Sequence, residues 1–220
     1  MGNIWRLLER GFTAGAVIAA ACAGFAVFFY LLYRLTRLAH PKAARLKERR
    51  VTSHRLYKVP GRGRIAYLTL CLKEALQFYG QDFGEWGWLL CRMWSVTDLS
   101  ENNWIDIWLD SVGQLLPSEI LTDGTAETAS AVALKARALY TRAGTAMIVI
   151  SAIIENAYRI AGGWSPGMDV HDPDAISLIA EAEETMTAFG VPLPSDETVR
   201  PILARKDLPL GKPFDIPRPF

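Results

Sequence analysis

The chain has 220 residues, half of them apolar, with 24 Lys and Arg against 23 Asp and Glu. That length suits one domain of ordinary size plus an accessory segment, so a core can be buried without disulfide or metal staples. The formal net charge of +1 hides two opposed parts, because residues 1–64 hold 13 basic side chains against Glu9 and Glu48, a net of +11, while residues 65–220 hold 11 against 21, a net of −10.

After a short flank, residues 1–10, the segment 11–33 (GFTAGAVIAAACAGFAVFFYLLY) runs for 23 residues without a charge. As a helix rising about 1.5 Å per residue it spans the roughly 30 Å hydrocarbon core of a bilayer, so a single N-terminal transmembrane helix is expected. Trp5 on one side and Tyr30 and Tyr33 on the other stand where interfacial aromatics belong. Only Arg6 and Arg10 precede the run, whereas eleven Lys and Arg follow it between Arg34 and Arg64. The positive-inside rule then keeps the C-terminal side in the cytoplasm and the N-terminus outside. The competing reading is a cleaved signal ending at Cys22; it is disfavoured because the apolar run continues past Cys22 and the cations after it resist translocation. Myristoylation at Gly2 fails as well, since Arg6 stands where Ser or Thr is needed.

Within this segment Gly11, Gly15, Ala19 and Ala23 recur every fourth residue, beside a second small row at Ala16, Ala20 and Gly24. Such rows let helix backbones approach closely in a bilayer, so self-association or subunit packing is expected there. The basic arm, residues 34–64, is expected to lie along anionic headgroups through Arg34, Arg37, Lys42 and Arg45, each cation contributing about 1 kcal/mol near the surface. PGRGRI, residues 60–65, reads as a turn ending the arm and lacks the Lys-Ser/Thr that would complete a phosphate loop.

From Ile65 the apolar spacing is helical, and residues 65–206 are expected as an acidic all-α domain. A first helix ends at Gly80 and a second apolar segment covers about 85–96. Ser100 or Asn103 caps a third helix with Trp104, Ile105, Trp108, Leu109, Val112, Leu115 and Leu116 in one stripe, Asp106, Asp110, Gly113 and Gln114 opposite, and Pro117 as its stop. Gly144 divides the next helical run, and the uncharged Ala143–Ile154, 12 residues long, is too short to span a bilayer and suits a core helix. Asp172 and Pro173 open a helix that closes at Gly190, and a short one follows over about 196–205. Residues 207–220, with Pro209, Pro213, Pro217 and Pro219, form an extended tail.

Chemistry-bearing constellations are sparse. Three cysteines, Cys22, Cys71 and Cys91, fit neither a disulfide framework nor a zinc ribbon and are expected as reduced thiols. His40 and His54 fall in the basic arm, which leaves His171 of MDVHDPDA without a second histidine to build a metal site. Asp106 and Asp110 share one helix face but lack the Glu-x-x-His partner of a di-metal bundle. No Ser, Thr or Cys nucleophile has a base nearby in sequence. No catalytic residue, metal or cofactor is therefore expected, and no enzyme. A net of −10 disfavours nucleic acid as the domain's ligand and suits a basic protein partner, met through Asp98, Glu101, Asp106 and Asp110.

Residues 89–121, LLCRMWSVTDLSENNWIDIWLDSVGQLLPSEIL, resemble a segment of the small all-helical immunity proteins of bacterial polymorphic toxin systems. The likeness lies in Trp94 with Thr97 and Asp98, the Trp104 and Trp108 helix, and the Leu116, Pro117, Ile120, Leu121 ending. It implies a non-catalytic inhibitor that blocks a cognate toxin domain, with the transmembrane helix a departure from the soluble form of that family. The expectation is a membrane-anchored protein-binding protein that neutralises a basic toxin at the cytoplasmic face. The alternatives are an anchored structural or adaptor subunit of a secretion or envelope complex, and a membrane-tethered hydrolase with an unrecognised site.

Overall fold

Pro60 sets where the first long helix begins. In the computed structural model, which describes residues 52–98, 104–122, 130–163 and 172–204, the chain is all-α, with no strand among the described residues. It divides into two compact units, Met1–Arg50 and Val51–Phe220, and all the described residues lie in the second. The segment 11–33 expected to cross a membrane, the row Gly11, Gly15, Ala19 and Ala23 expected to pack there, the cations Arg34, Arg37, Lys42 and Arg45 expected at headgroups, and the tail expected to be extended all lie outside them. Among the described residues no helix is long and apolar enough to cross a membrane.

Helix α1, Gly61–Phe78, takes Pro60 as its N-cap, with φ −57° and ψ 157°. The GRGR stretch expected as a turn is instead the first turn of this helix, and Gly61, Arg62, Gly63 and Arg64 are all buried in it. Helix propensity opposes two glycines there, but tertiary enclosure overrides it. Arg64 explains part of the local gain: its guanidinium donates to the carbonyls of Leu56 (3.4 Å) and Tyr57 (3.0 Å), anchoring the preceding segment. Leu56 and Val59 are buried with the core. The unit thus begins upstream of Ile65, and Arg55, Lys58, Arg62 and Arg64 belong to it rather than to a solvated arm.

Helix α1 ends at Gly80, whose φ of 63° lets Gln81 N–H reach back to the Leu76 carbonyl at 2.9 Å, a closure that favours glycine. Asp82 then caps α2, Phe83–Trp94, by accepting from Gly84 N–H at 2.8 Å, and a 3-10 turn, Ser95–Thr97, follows. Helix α3, Trp104–Gly113, is shorter than the stripe suggests, because Val112–Leu116 closes in tight turns before Pro117. Pro117 is less a stop than a start: it opens α4, Pro117–Thr122, where its missing N–H costs nothing. Ser118 N–H at that end donates to the Glu155 carboxylate at 2.9 Å, and at the other end Arg137 donates twice to the Ile120 carbonyl, at 3.0 and 2.7 Å.

Ser130 caps α5, Ala131–Ala143. After Gly144 comes α6, Ala146–Gly162, with Val149, Ile150, Ile153, Ile154 and Ala157 buried, the core helix expected of the uncharged run. Asp172 caps α7, Pro173–Ala188, with Pro173 at the first turn, and Ser195 caps α8, Asp196–Leu203. The architecture is a bundle around α1, which packs most extensively on α6 and also meets α2, α7, α8 and the 3-10 turn. Val59–Leu72 is an unbroken buried run, as a helix surrounded by neighbours requires.

Gly144 adopts φ 57° and ψ −127°, and a Cβ built on it meets no heavy atom within 4 Å. The conformation itself therefore selects glycine, and Gly144→Ala should cost about 1–3 kcal/mol in urea denaturation. Gly87, inside α2 with the same open surroundings and no positive φ, is the control: Gly87→Ala should stabilise by about 0.5–1 kcal/mol. Equal effects of the two would refute the backbone origin.

Candidate functional site

Two groupings of polar side chains stand out, one on the outside of α3 and one at the junction of α1, α7 and α8. On α3 the tryptophan and the acids part company. Trp108 is fully buried and its indole N–H donates to the Met93 carbonyl at 3.2 Å, while Trp94 is buried on α2. Asp106 and Asp110 are exposed, with Ile107 between them 37 % exposed. Asp98, also exposed, accepts from the Thr97 hydroxyl at 3.2 Å just after the 3-10 turn. Glu101 and the side chain of Trp104 lie outside the described set. The first-turn position of Asp106 complements the helix dipole, and Asp106 and Asp110 present their carboxylates to solvent.

The second grouping was not legible as a site. Tyr67, in the enclosed part of α1, donates its hydroxyl proton to Glu183 Oε1 of α7 at 2.5 Å. The same hydroxyl accepts from Arg55 Nη2 at 2.9 Å, and the Arg55 guanidinium also stands 5.1 Å from the Tyr67 ring centroid. Arg55 Nη1 pairs with Asp196 of α8 at 2.8 Å. The second oxygen of Glu183 faces His54 Nε2 at 3.2 Å, and His54 Nδ1 accepts from the Leu56 backbone N–H at 3.2 Å. His54 and Glu183 side chains are only 14 % and 18 % exposed.

Burial and these bonds set the charge states. Burial pushes the Tyr67 hydroxyl well above its ordinary value, and the neighbouring Cys71 and Glu183 push it further. Burial likewise raises the Cys71 thiol, one turn along α1, far above its usual range, which makes it a poor nucleophile. For Glu183 burial favours the neutral acid, but hydrogen bonds from His54 and Tyr67, with the charges of His54 and Arg55, outweigh it and hold the carboxyl below its ordinary value. Glu183 is an anion with both oxygens engaged, suited to holding segments together. No group of three His, Cys, Asp or Glu side chains able to hold a metal occurs among the described residues, and His171 lies outside them.

One signal in the sequence pointed to this cluster. The buried side of α7 is Ala175, Ile176, Ile179, Ala182 and Met186, and Glu183 falls on that stripe, seven residues after Ile176 and three before Met186. A carboxylate on a core stripe needs partners. Those partners were hidden because His54 and Arg55 read as members of a charged arm.

No family model matches the chain, and neither a curated protein nor a solved structure matches it.

Tyr67→Phe removes the donor to Glu183 and the acceptor of Arg55, and should cost about 1–3 kcal/mol at neutral pH. Because Glu183 is held below its ordinary pKa of about 4.3, its contribution is complete above that value and fades as pH falls through the lower folded value. Urea denaturation at successive pH values should therefore show a smaller acid loss for Tyr67→Phe than for the natural chain; parallel curves would contradict this role of the hydroxyl.

Proposed function

We propose that the chain is a membrane-anchored, non-catalytic protein-binding protein whose domain works at the cytoplasmic face of a bacterial inner membrane. The anchor is residues 11–33, packed through the row Gly11, Gly15, Ala19 and Ala23 and followed by the headgroup cations Arg34, Arg37, Lys42 and Arg45. The binding face is the outer side of α3 with Asp98 and Glu101. The observation that carries this reading is the division on α3, where Trp108 is buried while Asp106, Ile107 and Asp110 are open to solvent. An apolar side chain flanked by carboxylates suits a basic partner that is drawn in electrostatically and held by local contact. The net of −10 over residues 65–220 acts in the same direction at longer range.

The resemblance of residues 89–121 to immunity proteins makes a basic toxin domain the partner of choice. Co-expression with toxin-like proteins from neighbouring genes tests it. The natural chain should restore growth against one of them, and Asp110→Lys, at an exposed position beyond the first turn of α3, should weaken the complex about tenfold or more while leaving the melting temperature unchanged. Absence of neutralisation, together with recovery of secretion subunits in detergent pull-downs, would favour the adaptor reading, which draws its support from the small-residue row and the Pro-rich tail. An alkaline phosphatase fusion after Phe220 should be inactive; an active one would reverse the topology.

A further inference from the structure

Two helices of the bundle end side by side, and in the same way. Gly80 closes α1 and Gly190 closes α7, at φ 63° and 73°, and in each case the next N–H turns back to a helix carbonyl, Leu76 or Met186, at 2.9 Å. The ends are neighbours, because a Cβ built on Gly190 would stand 3.9 Å from Cζ of the Phe78 ring. Phe78, Phe189 and Leu193 are 49 %, 41 % and 39 % exposed, so three of the seven exposed large apolar side chains among the described residues fall at this one end. The half-buried Tyr79 sets its ring edge-on to Phe78 at 5.1 Å. Apolar side chains left open together mark a binding surface rather than ordinary scatter.

The same end is electrically incomplete. Helices α2, α5, α6 and α8 carry Arg92, Arg142, Arg159 and Arg200 in their last turns, whereas α1 and α7 have no basic residue there. Two helix C-termini therefore present partial negative charge next to exposed aromatic rings. An occupant that fits brings apolar rings and cations together. Residues 205–220, RKDLPLGKPFDIPRPF, have that composition: four cations against Asp207 and Asp215, four prolines, Phe214 and Phe220. Residues 65–204, by contrast, hold seven basic against 19 acidic side chains.

We infer that the aromatic end formed by Phe78, Tyr79 and Phe189 is the docking surface for the chain's own segment 205–220, with Phe214 and its flanking prolines on the rings and Lys212 and Arg218 at the helix ends. Proline-rich chain suits an aromatic surface because its rings are already held in an extended form and lose little freedom on binding. The distance is short. Leu193 lies two residues before Ser195, the N-cap of α8, and the eight residues of α8 rise about 12 Å. From Ala204 to Phe214 the chain covers roughly 30 Å when extended, more than the return to Leu193 requires. So short a tether holds the segment at an effective concentration on the order of mM, which favours it over a second copy or a separate protein.

Photo-cross-linking of the full chain in detergent, with p-benzoylphenylalanine in place of Phe214, tests the docking. The label should join residues 76–81 or 187–193 of the same chain, mapped by mass spectrometry, with a yield independent of protein concentration. Phe78→Ser with Phe189→Ser should lower that yield about fivefold or more, while Leu134→Ser, exposed on α5, should leave it unchanged. Lys212→Glu with Arg218→Glu should lower it about threefold. If the double serine variant fails to fold, the map from the otherwise natural chain decides. Links between two copies that rise with concentration, links confined to other parts of the bundle, or none at all would overturn the inference.

Discussion

Tyr67 places a hydroxyl inside a helix that is enclosed by its neighbours, and much of the polar architecture follows from that one constraint. Burying such a group without a partner costs about 1–3 kcal/mol. Glu183 relieves the cost, but a carboxylate on the core side of α7 then needs donors of its own. Besides Tyr67 itself, His54 supplies one from the segment before α1, and Arg55 of the same segment donates to the Tyr67 oxygen. A single polar side chain in the middle of the bundle thereby recruits the preceding turn, α7 and α8, elements far apart in sequence, into one arrangement.

The rest of the bundle follows a simpler logic in which polar side chains finish helix ends. Arg137 and Glu155 complete the two ends of α4, which is too short to hold its own termini. The Tyr140 hydroxyl takes the Leu115 carbonyl at 2.6 Å, and Arg92 takes that of Ser111 at 3.2 Å. The outer carboxylates of α3 contribute differently: Asp106 complements the dipole of its own helix from the first turn, and Asp110 stands exposed one turn further on.

Much of the fold could be read from the chain because its punctuation is local. Gly80, Gly144, Gly190, Asp172 and Pro173 each act within a turn of their own position, and helix boundaries written in such residues are where the sequence suggests. The errors share a different cause. GRGR lacks helix propensity and reads as a turn, yet it is helical because its neighbours enclose it. Pro117 ends the α3 stripe and opens α4 at once, a distinction that depends on Glu155 in another helix. The Glu183 cluster was largely illegible for the same reason, as its members join positions 54, 67, 183 and 196, and charge density around His54 and Arg55 masked their bonds to Glu183 and Tyr67. The acid face of α3 was legible because an amphipathic helix displays its own inside and outside.

The placement of the aromatic side chains has a consequence for how this molecule reports on itself. Trp86 and Trp94 on α2 and Trp108 on α3 are all but fully buried, whereas the polar cluster at α1, α7 and α8 holds a tyrosine and no indole. Among the described residues, indole emission, the usual optical gauge of folding, therefore senses the α2–α3 seam. Emission from these indoles would stay largely unshifted by a rearrangement around Glu183, and taken alone would describe as native a population in which that cluster had already come apart.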